Sequence, residues 1–389
     1  MAPGFDFDRL IDRRPTASNK WRKFDKDVLP LWVADMDFAS PEPVVRALRE
    51  RAEHGVYGYV FEEPEFFEVV ADRIQKRYGW RVGPEAVVLL PGVIAGLNMA
   101  ARVFAAPGDG LLEQVPVYPP ILRCPSNIGL TRDEAPLARR ADGRYEVDWE
   151  AFERAIHGRT RAFILCNPHN PTGRVYTREE LTRMAEICAR RGLSIIADEI
   201  HCDLLYAGQR HVPIASLAPE VAARTITLMS PSKTFNLAGL KCAIAVVPDA
   251  ALREKFLATK VDLVANPNVF GFAAALAAYR DGGPWLDALL TYLEANRDYT
   301  MKYVRENFPG VVVYPPEGMY LAWLDFRSAG IPGNDPYTLF LEKARVALND
   351  GPTFGPGGQG FARLNFGCPR AMLTEGLDRM RDAFRALPR

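Results

Sequence analysis

The chain is 389 residues long, 48% hydrophobic and 25% charged, with 48 basic side chains against 48 acidic ones. That length supports a large core and two domains or lobes, and the even charge offers no positive field to draw nucleic acid or anionic lipid. The six cysteines, at 124, 166, 188, 202, 242 and 368, form no CxxC pair and no metal-ligand spacing, so reduced thiols are expected rather than a disulfide frame or a metal site.

Residues 1–14 are charged and lack an apolar h-region, and no run of about 18 apolar residues occurs, which points to a cytoplasmic chain with no membrane segment. Residues 1–30 read as a polar arm dotted with aromatics that lies on the body. After Leu31-Trp32-Val33-Ala34-Asp35-Met36-Asp37-Phe38, Ser40-Pro41 marks a helix start. Ser40 is the expected cap, and the helix runs over 43–53 to a closing glycine at Gly55. The aromatic, glycine-broken stretch 56–61 (VYGYVF) reads as a loop, and equally as a turn that packs its tyrosines into the core.

From residue 85, short apolar runs alternate with helical stretches. Strands are expected at 87–90, 110–115, 161–166, 193–197, 225–229 and 243–247. One helix opens at Pro91-Gly92-Val93-Ile94 and continues to about 104. Another starts at the capping box Thr177-Arg178-Glu179-Glu180 and stops at Gly192. This alternation predicts an α/β fold with a mostly parallel sheet covered on both faces. Helices at 271–280, 285–307 and 374–387, with strands at 311–314, 319–325 and 361–365, suggest a second, α+β lobe from near residue 281. The expected division is a large domain over 46–280, with 1–45 and 281–389 forming the arm and a small domain. Residues 355–360 (GPGGQG) match GxGxxG, but a strand follows instead of a helix, so a loop near the site is expected and not a dinucleotide fingerprint.

The chemistry gathers at strand ends. Ser230-Pro231-Ser232-Lys233 follows the strand at 225–229, and Lys241 lies eight residues beyond Lys233. Ligands collect at that edge of open α/β sheets. A lysine amine forms a Schiff base with an aldehyde, and hydroxyls with a second cation suit a phosphate; pyridoxal phosphate (PLP) carries both groups. Asp198, at the end of the strand at 193–197, suits a ring nitrogen that must stay protonated. Asn170, in the proline-fixed turn 167–173 (NPHNPTG), suits a phenolate oxygen. The free amides of Val93 and Ile94 at a helix start suit the phosphate, and Tyr118 suits stacking on an aromatic ring.

The order and separation of Asn170, Asp198, Lys233 and Lys241 resemble the PLP-dependent aminotransferase superfamily of fold type I, over nearly the whole chain. Residues 32–38, Asp198-Glu199-Ile200-His201, Ser232-Lys233-Thr234-Phe235-Asn236 and Arg363-Leu364-Asn365-Phe366-Gly367-Cys368-Pro369-Arg370 are similar to its cystathionine β-lyase (C–S lyase) branch. The resemblance implies a seven-stranded, mostly parallel sheet between helices in the large domain. It implies that Lys233 bonds the cofactor and later moves protons, Asp198 pairs with the ring nitrogen, Asn170 holds the 3-oxygen and Tyr118 stacks on the ring. Val93, Ile94, Ser230, Ser232 and Lys241 would take the phosphate, together with Tyr59 from the partner subunit of a homodimer. Arg363 would grip the substrate α-carboxylate. His201 stands where many transaminases carry a tyrosine near the 3-oxygen, and Lys241 where many carry arginine. The implied reaction is β-elimination of cystathionine or another L-cysteine S-conjugate to thiol, pyruvate and ammonia. An aminotransferase and a PLP-binding regulatory protein are the alternatives.

Overall fold

The computed structural model describes residues 4–387; residues 1–3 of the expected arm and 388–389 of the expected small domain lie outside the described residues. Seven segments build one sheet, all but the third rich in apolar or β-branched residues: β1 (Val87–Leu90), β2 (Gly110–Val115), β3 (Thr131–Pro136), β4 (Thr160–Cys166), β5 (Ser194–Asp198), β6 (Thr225–Met229) and β7 (Ala243–Val246). Their order is β1-β7-β6-β5-β4-β2-β3. Neighbours pair parallel except where β7 runs antiparallel to both β1 and β6. The pleat sends alternate residues to opposite faces. Ile164 and Ile196 join the cluster under the Val93–Phe104 helix, while Phe163, Leu165, Ile195 and Ala197 join the one under the Arg178–Arg190 helix. Burial on both sides is why these strands read as continuous apolar runs.

β3 was not among the expected strands. It reads TRDEAP and sits at the sheet edge with half its residues exposed, so it carries no hydrophobic run. A second sheet is antiparallel, in the order β8-β10-β9, from β8 (Leu321–Asp325), β9 (Asn349–Asp350) and β10 (Phe361–Asn365). The strand expected at 311–314 is reduced to one isolated bridge, Val312 to Asp325, because Pro315 and Pro316 follow directly and cannot donate to a ladder.

Several local expectations meet a different partner in the fold. Ser40 does not cap the Glu42–Glu53 helix: Pro41 takes that position, and the Ser40 hydroxyl donates instead to the carbonyl of Asn236 at 3.4 Å. Gly55 does close that helix with φ of 76°. The tyrosines of the 56–61 stretch are not packed into the core, since Val56, Tyr57, Tyr59 and Phe61 are all exposed. The capping box is complete, Thr177 Oγ1 accepting from Glu180 N at 3.2 Å and Glu180 Oε2 accepting from Thr177 N at 2.8 Å. All six cysteines are free and buried.

Residues 29–38 join the two sheets. Leu29–Pro30 pairs parallel with Val346–Ala347, and Asn365 at the end of β10 donates to the carbonyls of Val33 (2.7 Å) and Asp35 (2.8 Å). The Val93–Phe104 helix approaches the large sheet closely at Gly96, where an added Cβ would lie 2.7 Å from Leu90 Cδ1 and 2.8 Å from Leu228 Cδ2, both side chains fully buried. Gly96→Val is therefore expected to lower stability by about 1–3 kcal/mol through overpacking. Urea unfolding of the two proteins measures this, and equal midpoints would contradict the close approach.

Candidate active site

Five segments deliver side chains to one edge of the large sheet, into a cavity of about 440 Å³. That size lies within the roughly 300–1,000 Å³ of small-molecule pockets. β4, β5 and β6 run in one direction and end together, so the residues after Cys166, Asp198 and Met229 converge. The Val93–Phe104 helix begins at the same edge after β1, and the antiparallel β7 starts there just past Lys241.

Lys233 stands on the one-turn helix Pro231–Thr234. Ser230 Oγ accepts from Ser232 N (3.1 Å) and donates to Cys242 O (2.8 Å), which ties this turn to the start of β7. The Lys233 amine donates to the carbonyl of Ala34 at 2.6 Å. Burial pulls its pKa down to about 8; Asp35 and Asp198 act to raise it, Arg363 and Lys241 to lower it further. Asp198 accepts one hydrogen bond, from Ile200 N at 3.2 Å, and burial pushes its carboxyl up to about 6. Its other oxygen has no hydrogen-bond partner among the described residues. The neighbouring Glu199 is turned away and satisfied, bonded to His211 Nε2 (2.8 Å) and Ile214 N (3.1 Å).

Arg363 on β10 is buried and makes no ion pair among the described residues. It donates to Asn170 Oδ1 (2.9 Å), Trp32 O (3.3 Å) and Asn349 Oδ1 (2.5 Å), lies 5.0 Å over the ring of Phe354, and leaves Nε without a partner. Burial lowers its pKa to about 10. Since Arg363 occupies the Asn170 oxygen, the Asn170 amide nitrogen is the group left to donate into the cavity. Burial holds His201 well below the usual imidazole range, so its ring is neutral, and its Nδ1 has no partner. Tyr118 is half-buried on the cavity wall, its phenol raised by burial.

The lining also takes in Val93 and Ile94, the first residues of the Val93–Phe104 helix, with Ser232 and Lys241. The Ser230 hydroxyl proton is already committed to Cys242 O, so Ser232 and Lys241 are the side-chain donors left there. Tyr59, by contrast, lies outside the cavity and is fully exposed. The residues present fit PLP: an amine for its aldehyde, a carboxylate with a free oxygen for its ring nitrogen, an amide donor for its 3-oxygen and a helix start for its phosphate.

Ala34, Trp32, Asn349 and Tyr320 were not expected in the site. Ala34 and Trp32 act through backbone carbonyls, which any side chain could present. Their signal was the 32–38 segment, whose sequence stood out without indicating a role. Tyr320 donates its hydroxyl to the same Ala34 carbonyl at 3.1 Å.

The aminotransferase class I and II family matches residues 26–380. Cystathionine beta-lyase PatB of Bacillus subtilis (strain 168) is 40% identical over 385 residues, covering 97% of this chain and 99% of PatB. The crystal structure of OvoB superposes with a TM-score of 0.94 at 41% identity, covering 99% of this chain and 100% of OvoB. Cystalysin from Treponema denticola, whose structure contains a pyridoxal 5'-phosphate cofactor, superposes with a TM-score of 0.94 at 30% identity and the same coverage. With a match that runs from the 32–38 segment past Arg363 and takes in every cavity side chain described above, the chain belongs to the class I and II aminotransferase family.

Proposed function

We propose that this protein is a PLP-dependent carbon–sulfur lyase that converts cystathionine or a related L-cysteine S-conjugate and water to a thiol, pyruvate and ammonia. The carrying observation is a half-buried lysine amine and a buried carboxylate lining one cavity, beside a buried guanidinium that pairs with no carboxylate among the described residues. When bound at Lys233, PLP supplies an electron sink for negative charge at the substrate Cα.

The protein's own groups do the rest. Arg363, already steered by Asn170, Asn349 and Trp32, meets the substrate α-carboxylate with its planar fork and so orients the Cα–H bond. Once the substrate's own amino group has displaced it, the Lys233 amine would take the Cα proton, a contribution of roughly 10²–10⁴-fold for a positioned base. Asp198 would hold the protonated ring nitrogen, Asn170 would donate from its amide to the 3-oxygen, and Tyr118 would stack on the ring. The C–S bond at Cβ then breaks with its electrons on sulfur, which leaves as the thiol after taking a proton. Water hydrolyses the remaining three-carbon enamine or imine to pyruvate and ammonia.

A homodimer fits the exposed apolar surface. Val56, Tyr57, Tyr59 and Phe61 lie bare, as do Val261, Leu263 and, at the phosphate corner itself, Ile94. In this reading a second copy covers that surface and brings its Tyr59 to the phosphate. The six buried free thiols suit a reducing compartment, which supports a cytoplasmic location. No helix among the described residues is long and apolar enough to cross a membrane. Two sheets built from separate stretches of chain support a large domain over 46–280, with 1–45 and 281–389 as the arm and small domain.

The lyase reading predicts pyruvate from L-cystathionine with no 2-oxo acid added, followed by coupled lactate dehydrogenase assay. Product that appears only when 2-oxoglutarate is supplied would identify a transaminase instead. Arg363→Lys replaces a fork by a point charge, and is expected to cost at least about tenfold in kcat/KM, mostly through KM. Unchanged steady-state kinetics in that variant would remove Arg363 from the carboxylate site. For the dimer, Tyr59→Phe is expected to sediment as wild type does while releasing PLP more readily on dilution; a monomeric wild type in the ultracentrifuge would discard this part.

A further inference from the structure

Among the described residues the Lys233 amine has one hydrogen-bond partner, the carbonyl of Ala34, and the 32–38 segment that carries it belongs to neither sheet. Side chains from elsewhere hold that segment. Asn236, three residues past Lys233, accepts from Met36 N and donates to the carbonyls of Met36 and Phe38, each at 2.9 Å. The N-terminal arm contributes the charges. Arg13 donates to Asp35 Oδ2 (2.9 Å), Asp37 Oδ1 (2.7 Å) and Met36 O (3.1 Å). Lys20, with its amine fully enclosed, donates to Asp37 Oδ2 (2.6 Å) and Asp35 O (2.9 Å), and Trp21 Nε1 donates to Asp37 Oδ1 (2.8 Å).

A buried lysine in an N-terminal arm is costly unless it is paired, and here its hydrogen bonds go to Asp35 and Asp37, which follow Ala34 in the chain. Asp37 is fully used by this network: both its oxygens are bonded and it is buried. Asp35 is less enclosed, pairs also with Lys20 (3.7 Å), and its charge acts to raise the proton affinity of Lys233. It is held by Arg13 and lies next in sequence to Ala34.

We propose that Arg13 and Asp35 are positioning residues of the active site, which fix the Ala34 carbonyl and together set the electrostatic field at the Lys233 nitrogen. The inference rests on the reading of Lys233 as the cofactor-bearing residue. The groups that face this nitrogen are Asp35 and Asp198, which favour its protonated form, and Arg363 and Lys241, which oppose it. His201 faces it as a neutral ring, and the phenols of Tyr118 and Tyr320 stay protonated. Arg13 lies behind Asp35 and offsets its charge, so the arm acts on the site with a sign that can be measured.

The test is the pH midpoint of the visible absorption band of the full-length, PLP-loaded protein, a readout independent of turnover. Asp35→Asn deletes a negative charge and is expected to lower the midpoint. Arg13→Gln deletes a positive charge and is expected to raise it, each by about half a unit or more. The double variant should return towards the wild-type midpoint, and Arg13→Lys should keep it. A merely structural arm would move both single variants the same way or neither, and either result overturns the proposal. Should near-UV circular dichroism find Asp35→Asn unfolded, the partly exposed Arg13 decides alone: a rise in Arg13→Gln that Arg13→Lys reverses supports the proposal, and no rise overturns it. A wild-type protein with no visible band and no borohydride-reducible adduct at Lys233 would overturn the cofactor reading itself, and this inference with it; a normal band with unmoved midpoints overturns the inference only.

Discussion

An amine in a cavity with a single carbonyl for company is the constraint around which the rest of the structure is arranged. A lysine cation prefers water, and enclosure of Lys233 lowers its proton affinity until the neutral, nucleophilic form is accessible near pH 8. That enclosure needs three pieces of chain at once: the end of β6 that carries the lysine, the end of β5 that carries Asp198, and the 32–38 segment that closes the top. Parallel strands supply the first two by ending at the same edge. The third is held by side chains of both sheets, Asn236 after β6 and Asn365 at the end of β10.

Two aspartates five residues apart separate what is structural from what is open to a ligand. Asp203 is bonded to Arg73 (2.9 Å), Arg77 (2.7 Å), the Tyr78 hydroxyl (2.7 Å) and the Thr234 hydroxyl (3.0 Å), and its carboxyl is held down at about 2. Asp198, equally buried, has one backbone amide and is pushed up to about 6. Burial raises both; only the partners differ. The Asp203 network anchors the turn next to Lys233, and it matters most for stability: its carboxylate contribution is present above about pH 4 and lost as pH falls through about 2. Asp198, Arg363 and the Asn170 amide nitrogen are instead left short of partners. A ligand that brings a cation to Asp198, an anion to Arg363 and an acceptor to the Asn170 amide offsets the cost of burying them.

The His201 ring is neutral and packs edge-on against Tyr320. Lys241 lines the cavity from a left-handed backbone position (φ 57°) between the turn Ala238–Leu240 and β7.

The sequence by itself determined the alternation of strand and helix, because buried parallel strands are written as apolar runs and helices as capped amphipathic stretches. β1, β2, β6 and β10 fall on the expected residues, and the capping box at Thr177 is complete. It also marked Asn170, Asp198, Lys233 and Lys241, which the fold brings to one cavity, since lysine, aspartate and asparagine at strand ends are chemically conspicuous. Polar β3 escaped notice because an edge strand has no apolar run to announce it. What only the tertiary structure decided are contacts made through backbone or over long separations: Ala34 and Trp32 act through carbonyls, Ser230 spends its proton on Cys242, and Ser40 turns from its helix to Asn236. Arg13 and Lys20 find Asp35 and Asp37 only once the arm is laid down. None of these follows from local pattern, because a carbonyl is common to every residue and a long-range partner is chosen by the fold.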